Sequence, residues 1–406
     1  MRILFVYPVF PWPLDSGSRV RVYNLVKQLV RQGHEVGLVC FHEGSDDPGD
    51  DSREFRALLS DLRIVPIGVP HGAWWKAKRL VRILPLLAHG VPPIAAFARH
   101  PGIGDAIEEL AGDYDAVLIG FYFMGFNVTD SLMAKAGRKF SLVEDDLSFV
   151  PLARKAAVSR WPEKALRLCQ AEGGKTAEIA MIRRFPRVFV MSELDAATAR
   201  ELAPGTRVML SPNGVDCAAI AFRPRPMKPE GPLSLVFVGG LAHYPNLDAL
   251  RHFMGAVWPG VRKRFPGAAF TVVGSTGGVD VSALAPEGVR FAGFVPNVLG
   301  LYAGAHATVT PYRIGGGTRL KILEAMAAGL PVVSSAVGVE GLPATTERNF
   351  LLAETGDDIE TALDRLMNEE GLARRLSKNG RRLVEERFDW PILARRLADD
   401  LRRNED

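Results

Sequence analysis

The chain has 406 residues, too many for one ordinary hydrophobic core, so two domains are expected. With 47% hydrophobic and 24% charged residues it is neither disordered nor fibrous, and 50 basic against 46 acidic residues leave a net +4, too balanced to argue for nucleic acid. Its three cysteines, Cys40, Cys169 and Cys217, are scattered; they fit a reducing cytoplasm and exclude a disulfide framework or a zinc site.

In chain order, MRILFVYPVFPWP reads as a buried first strand and not as a signal peptide, and no window reaches a membrane-spanning run of apolar residues. Strands follow at Arg2–Tyr7, Glu35–Cys40, Arg63–Pro66, Ala116–Ile119, Phe140–Val143 and Arg187–Met191. Helices follow at Ser18–Gln32, Ser52–Asp61, Gly102–Leu110 and across Pro151–Phe185. The stretch Trp74–Arg99 mixes tryptophans, leucines and isolated cations. It reads either as an interfacial amphipathic segment or as a packed helical pair.

The run AFRPRPMKPEGP, 221–232, holds four prolines in twelve residues and can be neither helix nor central strand, so it is read as a linker. The alternation then restarts. Strands read at Leu233–Val238, Ala269–Val273, Val289–Phe291, Ala307–Thr310 and Pro331–Ser334. Helices read at Asn246–Phe265, Pro296–Gly304, Arg319–Ala328, Asp357–Asn368, Glu370–Arg387 and Trp390–Arg403. Alternating strands and amphipathic helices mean parallel α/β sheets. The expected architecture is two doubly wound, Rossmann-like domains facing a cleft, with ligands at the carboxyl ends of strands. Their expected limits are 1–220 and 233–387, with a terminal helix at 388–406.

The most telling stretch is PYRIGGGTRLKILEAMAAGLPVVSS, Pro311–Ser335. Gly315, Gly316 and Gly317 run into a helix with Thr318 as expected N-cap, stopped by Gly329. A glycine loop opening a helix presents free N–H groups and the positive end of the helix dipole, which suits a phosphate. Arg319 and Lys321 add two cations, and Glu324 one turn on is placed to accept from vicinal hydroxyls. Together they point to a sugar nucleotide. The alternative is a glycine loop before a structural helix, with Lys321 and Glu324 as a solvated pair.

These motifs resemble the GT-B-fold retaining glycosyltransferases of the group-1, family-four type. Among these they are closest to bacterial exopolysaccharide sugar transferases with an R-x-GGGTRLK-x-LEAMA signature, here Arg313 to Ala327. PWPLDSGSRVRVYNL, VMSELDAATA, SPNGVD, VFVGG, VVGS, GFVPN and GLPVVSSAVGVEGL fall in the family's order. The resemblance implies a nucleotide-diphosphate sugar held mainly by the second domain and a saccharide or lipid-linked acceptor held mainly by the first. It also implies no metal or other cofactor, and a terminal helix returning to the first domain. Taken with the glycine-loop reading above, it makes Gly17, Gly240, Val295, Arg313, Gly316, Gly317, Thr318, Arg319, Lys321 and Glu324 the candidate donor-binding residues. Lys321, with Arg319, would neutralise the leaving diphosphate.

Two departures stand out. Glu324 matches the second of two family glutamates spaced eight apart, but Gly316 stands where the first would be. The segment GGLAHYPNLDAL lacks the Arg and Lys that commonly follow the VGG-type strand, which Arg319 and Lys321 could replace electrostatically.

In the first domain, Gly17 opens a helix followed by Arg19 and Arg21; a tight turn requiring positive φ is the plain alternative. The triplet Glu144, Asp145 and Asp146 ends a strand. Asp145 and Asp146 are candidates for a base activating an acceptor hydroxyl, and a helix-capping cluster is the alternative. Asn246 reads as a helix N-cap, and Glu193 as an N-cap partner. The expected function is a cytoplasmic hexosyltransferase, peripheral on the membrane at most. The alternatives are a nucleotide-sugar epimerase of the same architecture and an inactive binding subunit. An NAD-dependent oxidoreductase is disfavoured by the lack of a G-x-G-x-x-G strand end with an acid about twenty residues on.

Overall fold

Five consecutive apolar residues, Ile3 to Tyr7, make β1 (Arg2–Tyr7) a strand buried on both faces, the signature of the centre of a parallel sheet. The computed structural model describes residues 1–43, 49–67, 98–157, 159–281, 284–315 and 318–403. The chain divides into two units, Met1–Pro212 with Trp390–Asp406, and Asn213–Asp389.

The first unit holds a seven-stranded parallel sheet in the order β3-β2-β1-β4-β5-β6-β7. Its other strands are β2 (Glu35–Glu43), β3 (Asp61–Ile67), β4 (Ala116–Gly120), β5 (Phe140–Glu144), β6 (Arg187–Val190) and β7 (Arg207–Leu210). The second unit repeats the plan with six strands, ordered β10-β9-β8-β11-β12-β13. These are β8 (Ser234–Val238), β9 (Ala269–Val273), β10 (Val289–Gly293), β11 (Ala307–Thr310), β12 (Val332–Ser334) and β13 (Leu351–Leu352). In each sheet the order reverses beside the first strand, β1 or β8, which is where such sheets bind ligands, at the strands' carboxyl ends. Separate apolar clusters fill the two faces of the second sheet, one around Phe253, Trp258 and Phe270, the other around Ile322, Met326 and Tyr302.

Several sequence-based boundaries move. The division falls at Pro212–Asn213, ahead of the proline-rich stretch, because both the residues after Pro212 and that stretch are pinned to the second unit. Arg225 donates to the carbonyls of Tyr302, Ala303 and Gly329, and Arg381 donates to those of Cys217, Ile220 and Ala327. The helix Trp390–Arg402 packs on the first unit's Gly17–Arg31. Its Pro391 carbonyl accepts from Gln32 and its Leu401 carbonyl from buried Arg187.

The helix expected over Ser52–Asp61 shrinks to Arg53–Arg56, since Asp61 already pairs with Gly37 in the sheet. Pro151–Phe185 is two helices, Phe149–Ala157 and Glu163–Arg184, separated at Trp161–Pro162, where proline supplies no amide donor. Asn246–Phe265 is also interrupted, by a π-helical turn at Phe253–Val257 just before Pro259. Strands β7 and β13 were not legible: β7 is an edge strand of four residues, and β13 has two. The segment Trp74–Arg99 lies outside the described residues except for Ala98 and Arg99. Among the described residues no helix is long and apolar enough to cross a membrane.

Candidate functional site

Within the second unit, β8 ends at Val238 and runs into Gly239–Gly240, while β11 delivers Pro311 and Tyr312 to the same end of the sheet. Tyr312 is buried, and its hydroxyl donates to Asn246 Oδ1 at 2.7 Å. Lys321, on the helix Leu320–Ala328, donates from Nζ to the same Oδ1 at 2.8 Å and to Tyr312 Oη at 2.7 Å. Asn246 completes the arrangement by donating from Nδ2 to the Gly240 carbonyl at 2.8 Å. Gly239 lets this pair approach the backbone, because a Cβ on it would run into the Lys321 ammonium and the Asn246 amide and push them aside.

Burial of Lys321 pulls its pKa down to about 7; the Arg319 charge acts in the same direction and Glu324 opposes it. Glu324 is pushed up to about 7 by burial, against the pull of Lys321. The two titrate against each other near neutrality, where a charged ligand can set their protonation.

Arg319 is 8% exposed, and its guanidinium lies over the Tyr312 ring, 4.2 Å from the centroid. Its Nε and Nη2 are buried without a hydrogen-bond partner among the described residues. Gly315, at φ 132°, passes so close to this guanidinium that a Cβ would collide with it. A buried cation with unused donors is costly unless an anion meets it. The first turn of the helix it precedes has no side-chain cap, so the helix dipole adds to the same field.

Thr318 was expected to cap this helix. The N-cap position is instead Arg319, in extended backbone, and Thr318 is buried with its carbonyl accepting from Asn213. Gly316 and Gly317 lie outside the described residues. Arg313 is tied in a bidentate pair to Asp248, at 2.6 and 3.1 Å. Val295 is half-buried just past β10, and Gly240 sits at the end of β8 in contact with Asn246. Asn246 is not an N-cap: that position is His243, and Asn246 is the third residue of the helix Tyr244–His252. An asparagine six residues beyond a Gly-Gly strand end was the available signal, and a capping role masked it.

The first unit gathers a second set at the carboxyl end of β5. Asp145 accepts from Ser18 Oγ at 2.6 Å and faces the Arg21 guanidinium, with Nε 3.5 Å from Oδ1. Arg21, only 1% exposed, also donates to Ser211 Oγ and to the Pro212 carbonyl. Burial raises the Asp145 pKa; Arg21 and then Ser18 oppose that. Asp145 is thus held by a cation and a hydroxyl, while Asp146 is half-exposed in the following turn.

Glu144 points inward. It is 1% exposed, and its carboxyl oxygens make no well-formed hydrogen bond among the described residues; only the Tyr122 amide favours its charged form. Burial, then the charge of Glu178, raises its pKa well above the usual carboxylate range. Glu178, itself pushed up to about 8 by burial, accepts from the amides of Ser148 and Phe149. Glu178 therefore meets the backbone amides at the start of Phe149–Ala157. Gly17 is the first residue of its helix and has no positive φ, so the tight-turn explanation does not apply. Ser192 caps Glu193–Leu202 with Asp195 as its partner, the place Glu193 was expected to take.

Residues 232–369, most of the second unit, match the family model described as "Glycosyl transferases group 1". The whole chain superposes on glycosyltransferase structures. Sucrose-phosphate synthase from Thermosynechococcus elongatus aligns over 99% of this chain and 98% of its own, at 19% identity and a TM-score of 0.71. Anabaena Alr3699/HepE, solved in complex with UDP and glucose, aligns over 99% of both chains at 15% identity and a TM-score of 0.63. Trehalose-6-phosphate synthase from E. coli, bound with UDP-2-fluoro glucose, aligns over 99% of both at 13% and 0.63. No curated protein matches by sequence. The fold is thereby established as two parallel-sheet α/β units of the GT-B glycosyltransferase type.

Proposed function

We propose that the protein is a metal-independent, retaining glycosyltransferase that moves a hexose from a nucleotide-diphosphate sugar to a saccharide or lipid-linked saccharide acceptor in cell-surface or exopolysaccharide synthesis. The observation that carries this reading is the buried Arg319 guanidinium with unused Nε and Nη2 donors, beside the Gly315 loop and on the same helix end as Lys321. A diphosphate would satisfy those donors, and its charge would be met by Arg319, Lys321 and the helix dipole where other enzymes use a cation. Glu324 is placed to accept from sugar hydroxyls. One protein of this fold, Anabaena Alr3699/HepE, was crystallised with UDP and with UDP-glucose.

In the reaction the bond from the anomeric carbon to the diphosphate oxygen breaks and a bond to the acceptor oxygen forms. The acceptor's hydroxyl proton leaves. Lys321 and Arg319 stabilise the charge that grows on the departing diphosphate. Asp145 or Asp146 would take the proton in the first unit. For Asp145 this requires a water or the acceptor to reach the carboxylate that Ser18 and Arg21 hold. Retention is carried over from the family resemblance.

Release of free nucleoside diphosphate, measured with and without a saccharide or lipid-linked acceptor and with a chelator present, tests the reading. Acceptor-dependent release that survives chelation is expected. Loss on chelation restored by magnesium or manganese would overturn metal independence. The glycine at 316, where the family carries a glutamate, gives weight to an inactive binding subunit. Nucleotide-sugar binding with no release under any acceptor would favour that reading.

A further inference from the structure

In the first unit the helices Phe149–Ala157 and Glu163–Arg184 pack on each other as a hairpin. From Arg160 to Gln170 no residue is buried, and Ala171 is the first that is. This tip carries large apolar side chains in solvent: Trp161 is 76% exposed, Leu166 61% and Leu168 43%. Over residues 149–170 the chain bears Arg154, Lys155, Arg160, Lys164 and Arg167 against one acid, Glu163, which pairs with Arg167.

Exposed large apolar groups gathered at one place mark an interaction surface. Its character follows from two features. Leu166 and Leu168, two residues apart on a helix, point to different sides, so the apolar groups form no single stripe for a groove to grip. They suit a medium that surrounds the tip. The excess of cations requires that medium to be anionic. Tryptophan favours the boundary between headgroups and acyl chains, and Lys and Arg reach from apolar depth back to phosphate.

We propose that the tip Arg160–Leu168 inserts into the interface of an anionic lipid bilayer. Trp161, Leu166 and Leu168 enter the headgroup–acyl boundary, and Arg160 and Lys164 meet headgroup phosphates. This inference does not depend on the transferase reading, since vesicle binding and nucleotide binding are measured separately.

The test is co-sedimentation of the full chain with vesicles of phosphatidylcholine alone or mixed with phosphatidylglycerol. The wild type is expected to pellet on the anionic vesicles and to be released by salt. The variant Trp161→Ala/Leu166→Ala/Leu168→Ala should lose at least about tenfold in partitioning. Arg160→Gln/Lys164→Gln should lose about tenfold or more on anionic vesicles only. All five side chains lie outside the core, so melting temperature and nucleoside-diphosphate affinity should stay at wild-type values. Should a variant misfold, brominated lipid supplies the second readout: it should quench tryptophan emission in the wild type and lose that quenching in Trp161→Phe. Absence of pelleting by the wild type would overturn the proposal. So would variants that pellet like the wild type, which would place membrane contact elsewhere in the chain. So would tip-dependent dimerisation in sedimentation velocity, which would make a second copy the occupant.

Discussion

Lys321 Nζ and Asn246 Oδ1 lie 2.8 Å apart although 75 residues separate them, and the same oxygen accepts from Tyr312. The amide thus anchors an ammonium from the helix Leu320–Ala328 at the end of β8, the place where the sequence GGLAHYPNLDAL supplies no cation of its own. Through its Nδ2 bond to the Gly240 carbonyl it also holds the Gly-Gly loop.

Replacing Asn246 with alanine should therefore release Lys321 and loosen Gly240 together. Loss of a hydrogen bond to a charged group is worth roughly 1.5–3 kcal/mol, so nucleoside-diphosphate affinity should fall about tenfold or more. Titration calorimetry on Asn246→Ala, with circular dichroism as the fold check, measures it. Unchanged affinity would reduce Asn246 to a structural residue.

Donor binding should take up protons. Free Lys321 titrates at about 7 and Glu324 at about 7, both moved there by burial. A bound diphosphate favours the ammonium over the amine and the carboxylic acid over the carboxylate, so both groups move upward on binding. Affinity should then weaken as pH rises above neutrality, and calorimetry at pH 8 in buffers of different ionisation enthalpy should report net uptake. A pH-independent affinity between 6 and 9, with no buffer dependence, would contradict the charge assignment.

Arg21→Leu should be strongly destabilising. It strips Asp145, Ser211 and the Pro212 carbonyl of one buried partner, and breaking such a network from one side costs roughly 3–5 kcal/mol. Denaturant unfolding of the first unit would register it. A loss under about 1 kcal/mol would show that water replaces the guanidinium.

The buried acids set a pH dependence of the opposite sign from ordinary salt-bridged carboxylates. Glu178 is raised from 4.5 to about 8 and Glu144 is raised with it. Between those values the folded state holds a proton that the unfolded chain has lost, so stability falls as pH rises through that window. Glu178→Gln, which keeps an acceptor for the Ser148 amide, should flatten the fall. A melting temperature with the same pH slope in both proteins would remove the Glu178 assignment.

How much of this the sequence disclosed depends on the range of the interactions. The strands β1, β4, β5, β6, β8, β9 and β11 are short runs dominated by apolar and β-branched residues, and local composition alone locates them. The π-helical turn before Pro259, the break at Pro162 and the two-residue β13 are set by single residues or by sheet neighbours, so periodicity does not reveal them. At the site, Arg319 and Lys321 were visible because they follow a glycine loop. Asn246 and Tyr312 were not, since their roles exist only once β8 and β11 lie side by side. Arg21 and Ser211, 190 residues apart, were equally hidden as partners, as was the inward turn of Glu144.

The central claim is that the unused Nε and Nη2 donors of Arg319 await a diphosphate. Calorimetric titration with uridine, guanosine, adenosine and thymidine diphosphates, comparing wild type with Arg319→Ala, tests it most directly. At least one nucleotide is expected to bind the wild type, with roughly tenfold or greater loss in the variant and no change in melting temperature large enough to indicate misfolding. Equal affinity in the two proteins, or no binding of any nucleoside diphosphate to the wild type, would contradict it.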